Sequence, residues 1–164
     1  MAEPATKPHD GPPRTTKADP SMLPTETIDF AHRMFDAARS GSSELLLAAI
    51  DAGLPVNLTN DKGNTLLMLS AYAGHADLSI ELLKRKADPN RLNDLGQSII
   101  GGVVFKGYID IVKALVERGA DPRSGKPTAI EAAHMFGRSD LLEILGAKEG
   151  DVSGDVPTPP SFVP

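Results

Sequence analysis

The sequence contains no cysteine and no tryptophan. Without cysteine there are no disulfides, no thiolate nucleophiles and no cysteine-ligated metals, and the redox compartment stays open. Aromatic side chains are few, five Phe and two Tyr in 164 residues, so a surface that gathers several of them stands out. Positive charge is not in excess: 17 Lys+Arg against 22 Asp+Glu give a net charge of −5 and a pI near 5.3. That balance opposes a bulk electrostatic grip on nucleic acid or an anionic membrane. No apolar run approaches the roughly 18 residues of a membrane span. The opening Met1-Ala-Glu-Pro-Ala-Thr-Lys-Pro8 lacks the charged-then-apolar order of a secretion signal. A soluble, cytoplasmic protein is the expectation, with entry to the nucleus left open.

Proline is scarce through the middle of the chain. Six of the 14 prolines fall in residues 1–24 and four in 157–164. Segments so rich in proline and poor in regularly spaced apolar residues bury too little surface to offset the entropy of ordering them. Disordered tails are therefore expected over 1–27 and 149–164, leaving 28–148 as the folded domain.

Within that domain the sequence repeats. Asp61-Lys-Gly-Asn-Thr65 recurs as Asp94-Leu-Gly-Gln-Ser98, an offset of 33. Gly41, Gly74 and Gly107 share this offset, as do Asn57 and Asn90, and Ala87-Asp-Pro89 returns as Ala120-Asp-Pro122. After Ala120 the offset falls to 30, pairing Ser98 with Thr128 and Gly107 with Gly137. Four units result: about 30–57, 61–90, 94–123 and a clipped 126–148.

Each unit reads as helix, turn, helix and extended loop. Thr65 is placed to cap a first helix running through Ala73, and Gly74 to end it in the left-handed region. Asp77, Asp110 and Asp140 open the second helices at their positive dipole ends. Leu78, Leu82 and Leu83 form an apolar stripe, repeated by Ile111, Leu115 and Val116. The pairs Asp88-Pro89 and Asp121-Pro122 are expected to end those helices. Gly63 and Gly96 suit tight turns at loop tips.

This pattern resembles the ankyrin-repeat family. Gly63-Asn-Thr-Leu-Leu-Met-Leu-Ser-Ala-Tyr-Ala-Gly-His75 is similar to the family's Gly-x-Thr-Pro-Leu-His-x-Ala-Ala-x-x-Gly-His, and Gly119-Ala-Asp-Pro122 to its Gly-Ala-Asp ending. The resemblance implies an all-α solenoid of about four helix-turn-helix units with β-turn loops. Leu66 and Met68 replace the family's Pro and His, so its Thr–His side-chain hydrogen bond is not expected. Glu81 stands where other units have Ala48 and Ala114, near the helix interface. The stretch Ser98-Ile-Ile-Gly-Gly-Val-Val-Phe-Lys106 has the propensity of a strand. The repeat register makes it a helix nonetheless, although each glycine costs about 1 kcal/mol against alanine. Close approach of a neighbouring helix would explain the glycines, and unit 3 is expected to be the softest part of the stack.

Catalytic constellations are missing. Ala120-Asp-Pro-Arg-Ser-Gly-Lys126 has the spacing of a phosphate-binding loop, but Pro127 stands where a magnesium-binding hydroxyl belongs and no strand precedes it. It reads as a repeat junction. His9, His32, His75 and His134 show no paired metal spacing, and there is no nucleophile elbow. Acidic residues sit singly at helix starts and loop ends, as capping and dipole work requires. Asn57-Leu-Thr59 matches a glycosylation acceptor, idle in a chain without a secretion signal. Pro157-Thr-Pro-Pro160 fits a minimal proline-rich ligand or, equally, a linker. No enzyme, cofactor or metal site is expected.

The resemblance implies partner contacts from the loop tips and from two positions before each inter-helix glycine. Reading the first of each pair gives Arg39, Tyr72, Phe105 and Met135, with Lys106 and Phe136 beside the last two. Large apolar or aromatic groups thus recur in three consecutive units, as at protein interfaces. The same row also suits a cover over exposed core edges. Asp61, Lys62, Asn64, Asp94, Leu95 and Gln97 at the loop tips would add a polar rim. The expected function is a monomeric, non-catalytic protein-binding module acting as adaptor, scaffold, inhibitor or assembly chaperone. The alternatives are a regulatory subunit of an enzyme and a self-associating structural protein.

Overall fold

The computed structural model describes residues 23–158. Eight helices follow in order: α1 (Thr25–Ser40), α2 (Ser43–Asp51), α3 (Leu66–Tyr72), α4 (Ala76–Lys84), α5 (Ile99–Lys106), α6 (Ile109–Glu117), α7 (Ala129–Met135) and α8 (Ser139–Ile144). They pair as four helical hairpins, α1–α2, α3–α4, α5–α6 and α7–α8. The first, inner helices stack as α1–α3–α5–α7 and the second, outer helices as α2–α4–α6–α8. Among the described residues the one β pairing is an isolated bridge between Thr59 and Thr65, and no helix is long and apolar enough to cross a membrane.

Polar caps fix where the inner helices start. Thr65, Ser98 and Thr128 occupy equivalent N-cap positions, and each hydroxyl accepts the backbone N–H three residues on, from Met68, Gly101 and Glu131. Thr128 and Glu131 complete a capping box. Gly41, Gly74, Gly107 and Gly137 all lie in the left-handed region at the inter-helix turns. Asp77, Asp110 and Asp140 stand in the first turns of α4, α6 and α8.

Two expectations are corrected. The outer helices end before their Asp-Pro pairs, at Lys84 and Glu117. The left-handed residues Lys86 (φ 67°) and Gly119 (φ 85°) turn the chain first, and the prolines only begin the extended loop. On α6 the core side chains are Ile111, Val112 and Leu115, while Val116 is half-buried against their edge. In α4 the expected Leu78, Leu82 and Leu83 are all buried.

One core runs the length of the stack, from Met34 and Phe35 in α1 to Leu141 and Leu145 around α8. The stretch 98–106 is helical as the register requires, with Ile99, Ile100, Val103 and Val104 buried between its neighbours. Glu81 escapes the core by pairing outward with Lys84 and Arg85 (2.7 and 2.8 Å), and Arg85 reaches back to Asp51 on α2. The last described turns are tied down as well. Arg123 holds Asp151 through two hydrogen bonds of 2.9 and 2.7 Å, and Val152 packs against the core.

A candidate partner-binding groove

The inner helices position a row of side chains because the last turn of each exposes the residues before its glycine. At the ends of α5 and α7 these are Phe105, Lys106 and Phe136, with Met135 half-buried beside them. The rings of Phe105 and Phe136 meet edge to face, with centroids 5.2 Å apart at 76°, a favourable quadrupolar arrangement. They remain 64% and 50% exposed, a large solvated apolar area for a chain with so few aromatics. Beside them runs a groove of about 360 Å³, lined by Phe105, Met135, Phe136 and Pro127.

Tyr72 and Gly102 form the floor. The Tyr72 hydroxyl donates to the Ser98 carbonyl at 2.8 Å, which lays its ring across α5. A Cβ on Gly102 would overlap that ring, so this helix carries glycine to admit a neighbouring side chain. Gly101 has a different reason: its Cβ would meet the Ser98 hydroxyl at 2.8 Å and the Pro127 carbonyl at 3.2 Å. Burial holds the Tyr72 phenol neutral and pushes its pKa up to about 12.

Two cations, Lys106 and Lys126, stand exposed on the rim. No ion pair engages either among the described residues. The nearby acid Glu131 is already committed, one carboxylate oxygen accepting the Thr128 N–H at 2.9 Å. Lys126, at the junction with phosphate-loop spacing, reaches the rim because its backbone N–H donates to Gly96 at 3.1 Å, folding the shortened loop over α5. The groove is therefore apolar at its floor and positive at its edge.

The structure thus brings Tyr72, Phe105, Lys106, Met135, Phe136 and Gln97 to one place. Arg39 stays apart at the other end of the stack, paired with Asp36 at 3.0 Å. The remaining loop-tip residues form a ladder between loops. The Asp94 N–H donates to the Lys62 carbonyl at 3.0 Å, and the Asn93 amide donates to both Asn64 and Gln97 (3.0 and 2.8 Å). Asp61, Lys62 and Leu95 are exposed, Leu95 to 79%. Pro127, Gly102 and Lys126 were not legible as groove residues from the sequence. Only the improbable glycine inside a helix signalled a close approach.

His75 serves structure. The His75 Nε2 lies 2.7 Å from the Arg39 carbonyl, and its ring packs where a Cβ on Gly41 would sit. His9 lies outside the described residues. Among those described, no cluster of three His, Asp or Glu side chains is placed to hold a metal ion.

Comparison with known proteins agrees with this architecture. A family model for ankyrin repeats, in three copies, matches residues 34–126. An ankyrin repeat protein of Pseudomonas aeruginosa is 53% identical over 55 residues, 34% of this chain and 32% of that protein. The human ankyrin repeat domain-containing protein 29 is 42% identical over 59 residues, 35% of this chain and 20% of that protein. The chain thus spans about a third and a fifth of these curated relatives. Helical hairpins at a 33-residue period, hydroxyl caps at equivalent positions and a family match over more than half its length together establish that this chain belongs to the ankyrin-repeat family.

Proposed function

We propose that this protein is a non-catalytic binding module that receives a segment of a protein partner in the groove over α5 and α7. The observation that carries this reading is the solvated Phe105–Phe136 pair beside Lys106 and Lys126, which no ion pair engages among the described residues. Buried aromatic anchors and a charged rim are the features that dominate protein interfaces. Single exposed hydrophobes are ordinary on protein surfaces, but a contiguous patch lining a groove is a recognised mark of interaction. Adaptor, scaffold, inhibitor and chaperone roles all use such a surface, and the cytoplasm is the compartment proposed.

The test is affinity purification of the full chain from native extract beside a Phe105→Glu variant. Phe105 is exposed, so the variant is expected to fold with an unchanged circular dichroism spectrum. A protein that co-purifies with the wild type and is lost with the variant supports the groove as the binding site. A partner retained equally by both moves the contact to the outer helices or the tails and overturns the assignment.

A further inference from the structure

The groove's charge runs against that of the chain. Among the described residues its lining includes Lys106 and Lys126 and no aspartate or glutamate, although the sequence carries 22 acids against 17 bases. Gln97 extends the bias. Its amide oxygen accepts from Asn93 at 2.8 Å, which leaves its NH2 group as a further donor at an exposed position of the lining.

Folding accounts for only one of the two cations. Lys106 lies in the last turn of α5, where the negative end of the helix dipole favours it. Lys126 has no such role. It stands two residues before Thr128, the N-cap of α7, and the dipole disfavours a cation at that end of a helix. No ion pair offsets this among the described residues, and Glu131, the acid of that first turn, lies outside the groove's lining and accepts the Thr128 N–H.

The floor has the opposite character. The Tyr72 hydroxyl is committed to the Ser98 carbonyl, and the Ser98 hydroxyl accepts the Gly101 N–H at 3.0 Å. What remains for a ligand is ring and aliphatic surface, continued by Phe105, Met135 and Phe136. A volume of about 360 Å³ is at the small end of the range for ligand sites, room for side chains rather than for a folded element.

We propose that the groove takes an acidic segment of a partner protein, seating a large apolar side chain against Phe105 and Phe136 while neighbouring carboxylates engage Lys106 and Lys126. This assignment rests on the groove being a protein-binding site, as argued above, and adds the chemistry of what binds. A single-stranded nucleic acid also combines negative charge with stacking groups, but a net charge of −5 opposes its continuous phosphate backbone. A peptide sets only a few carboxylates against the two lysines. Exposed pairs of this kind select the partner and speed its association more than they tighten it.

The test starts from a displayed library of short random peptides, selected on the full chain and counter-selected on its Phe105→Glu variant. Peptides that bind the wild type and are lost with the variant are expected to carry a large apolar residue flanked by Asp or Glu. One of them, synthesised with a fluorophore, is then followed by anisotropy with Lys106→Gln and Lys126→Gln. Both positions are exposed, so both variants are expected to keep the wild-type circular dichroism spectrum. Each is expected to weaken binding about two- to fivefold and to flatten the loss of affinity as salt rises. Phe105-dependent peptides with no excess of acid, or with affinity unchanged in both lysine variants, overturn the acidic preference and leave the groove reading standing. No Phe105-dependent peptide at all overturns the groove reading and the proposal with it. Labelled oligothymidylate that binds through Phe105 where acidic peptides do not assigns the groove to nucleic acid and overturns the proposal. A dimer in sedimentation that Phe105→Glu dissociates places a second copy on the groove and overturns it as well.

Discussion

Tyr72 joins two repeats through one hydrogen bond and one ring. Its hydroxyl satisfies the Ser98 carbonyl, the residue that caps α5, so Tyr72→Phe leaves that acceptor short of a partner at the junction. The expected loss is about 1 kcal/mol in urea melts. The raised pKa adds an independent check. The native phenol keeps its proton to about pH 12, while an unfolded tyrosine releases it near pH 10. Stability from this group is therefore fully present below pH 10 and falls as pH rises toward 12. Absorbance titration should show one tyrosine ionising near pH 12, and that step should vanish in Tyr72→Phe. Lys86 makes a second case at this scale. It holds a φ of 67° where equivalent units have Gly53 and Gly119, and a left-handed non-glycine residue costs about 1–2 kcal/mol. Glycine there loses somewhat more entropy on folding, so Lys86→Gly is expected to stabilise by about 0.5–1 kcal/mol in the same melts.

At the scale of elements, α5 sets local preference against packing. Glycine at 102 is worse than alanine for a helix by about 1 kcal/mol, and propensity alone argues for restoring the methyl. The Tyr72 ring occupies that space, pinned by its hydroxyl. Gly102→Ala is therefore expected to destabilise by about 1–3 kcal/mol through overpacking. In a Tyr72→Ala background the same substitution should become stabilising, since only the helix preference remains. A double-mutant cycle in urea measures the reversal, and equal effects in both backgrounds would contradict the seating of the ring. This contest explains what could be read in advance. The inner-helix caps Thr65, Ser98 and Thr128 and the turn glycines are local signals, and each sits where its spacing placed it. The ends of α4 and α6 were misread because proline is the louder local signal, while Lys86 gives no hint of a left-handed turn. The row Tyr72, Phe105, Met135 was visible as a periodicity. Its conversion to a groove was not, since that depends on a loop three residues shorter carrying Lys126 and Pro127 over α5.

For the whole molecule, stability is a sum of unit and junction terms along one axis. Leu82 is fully buried in α4 between α2 and α6, so Leu82→Ala is expected to cost about 2–5 kcal/mol. A loss below 1 kcal/mol would mean that this side chain does not face the core. The sum is not spread evenly. The glycines in α5 remove about 2 kcal/mol of intrinsic helix preference from unit 3. Unit 4 has an outer helix of only six residues and leans on unit 3 through α5–α7 and α6–α8 contacts. Opening at the α3–α5 junction therefore releases α5 through α8 as one piece, while α1 through α4 keep their mutual contacts. Native-state amide exchange should show residues 99–106 and 129–135 opening with a common, lower free energy than residues 66–72. Equal protection in α3 and α5 would mean that the seated Tyr72 ring fully offsets the two glycines. Faster exchange in α7 than in α5 would instead move the weak junction one unit along. The expected order ties softness to binding, because the groove straddles α5 and α7. A ligand seated there bridges the two and should slow exchange in both, leaving α3 unchanged.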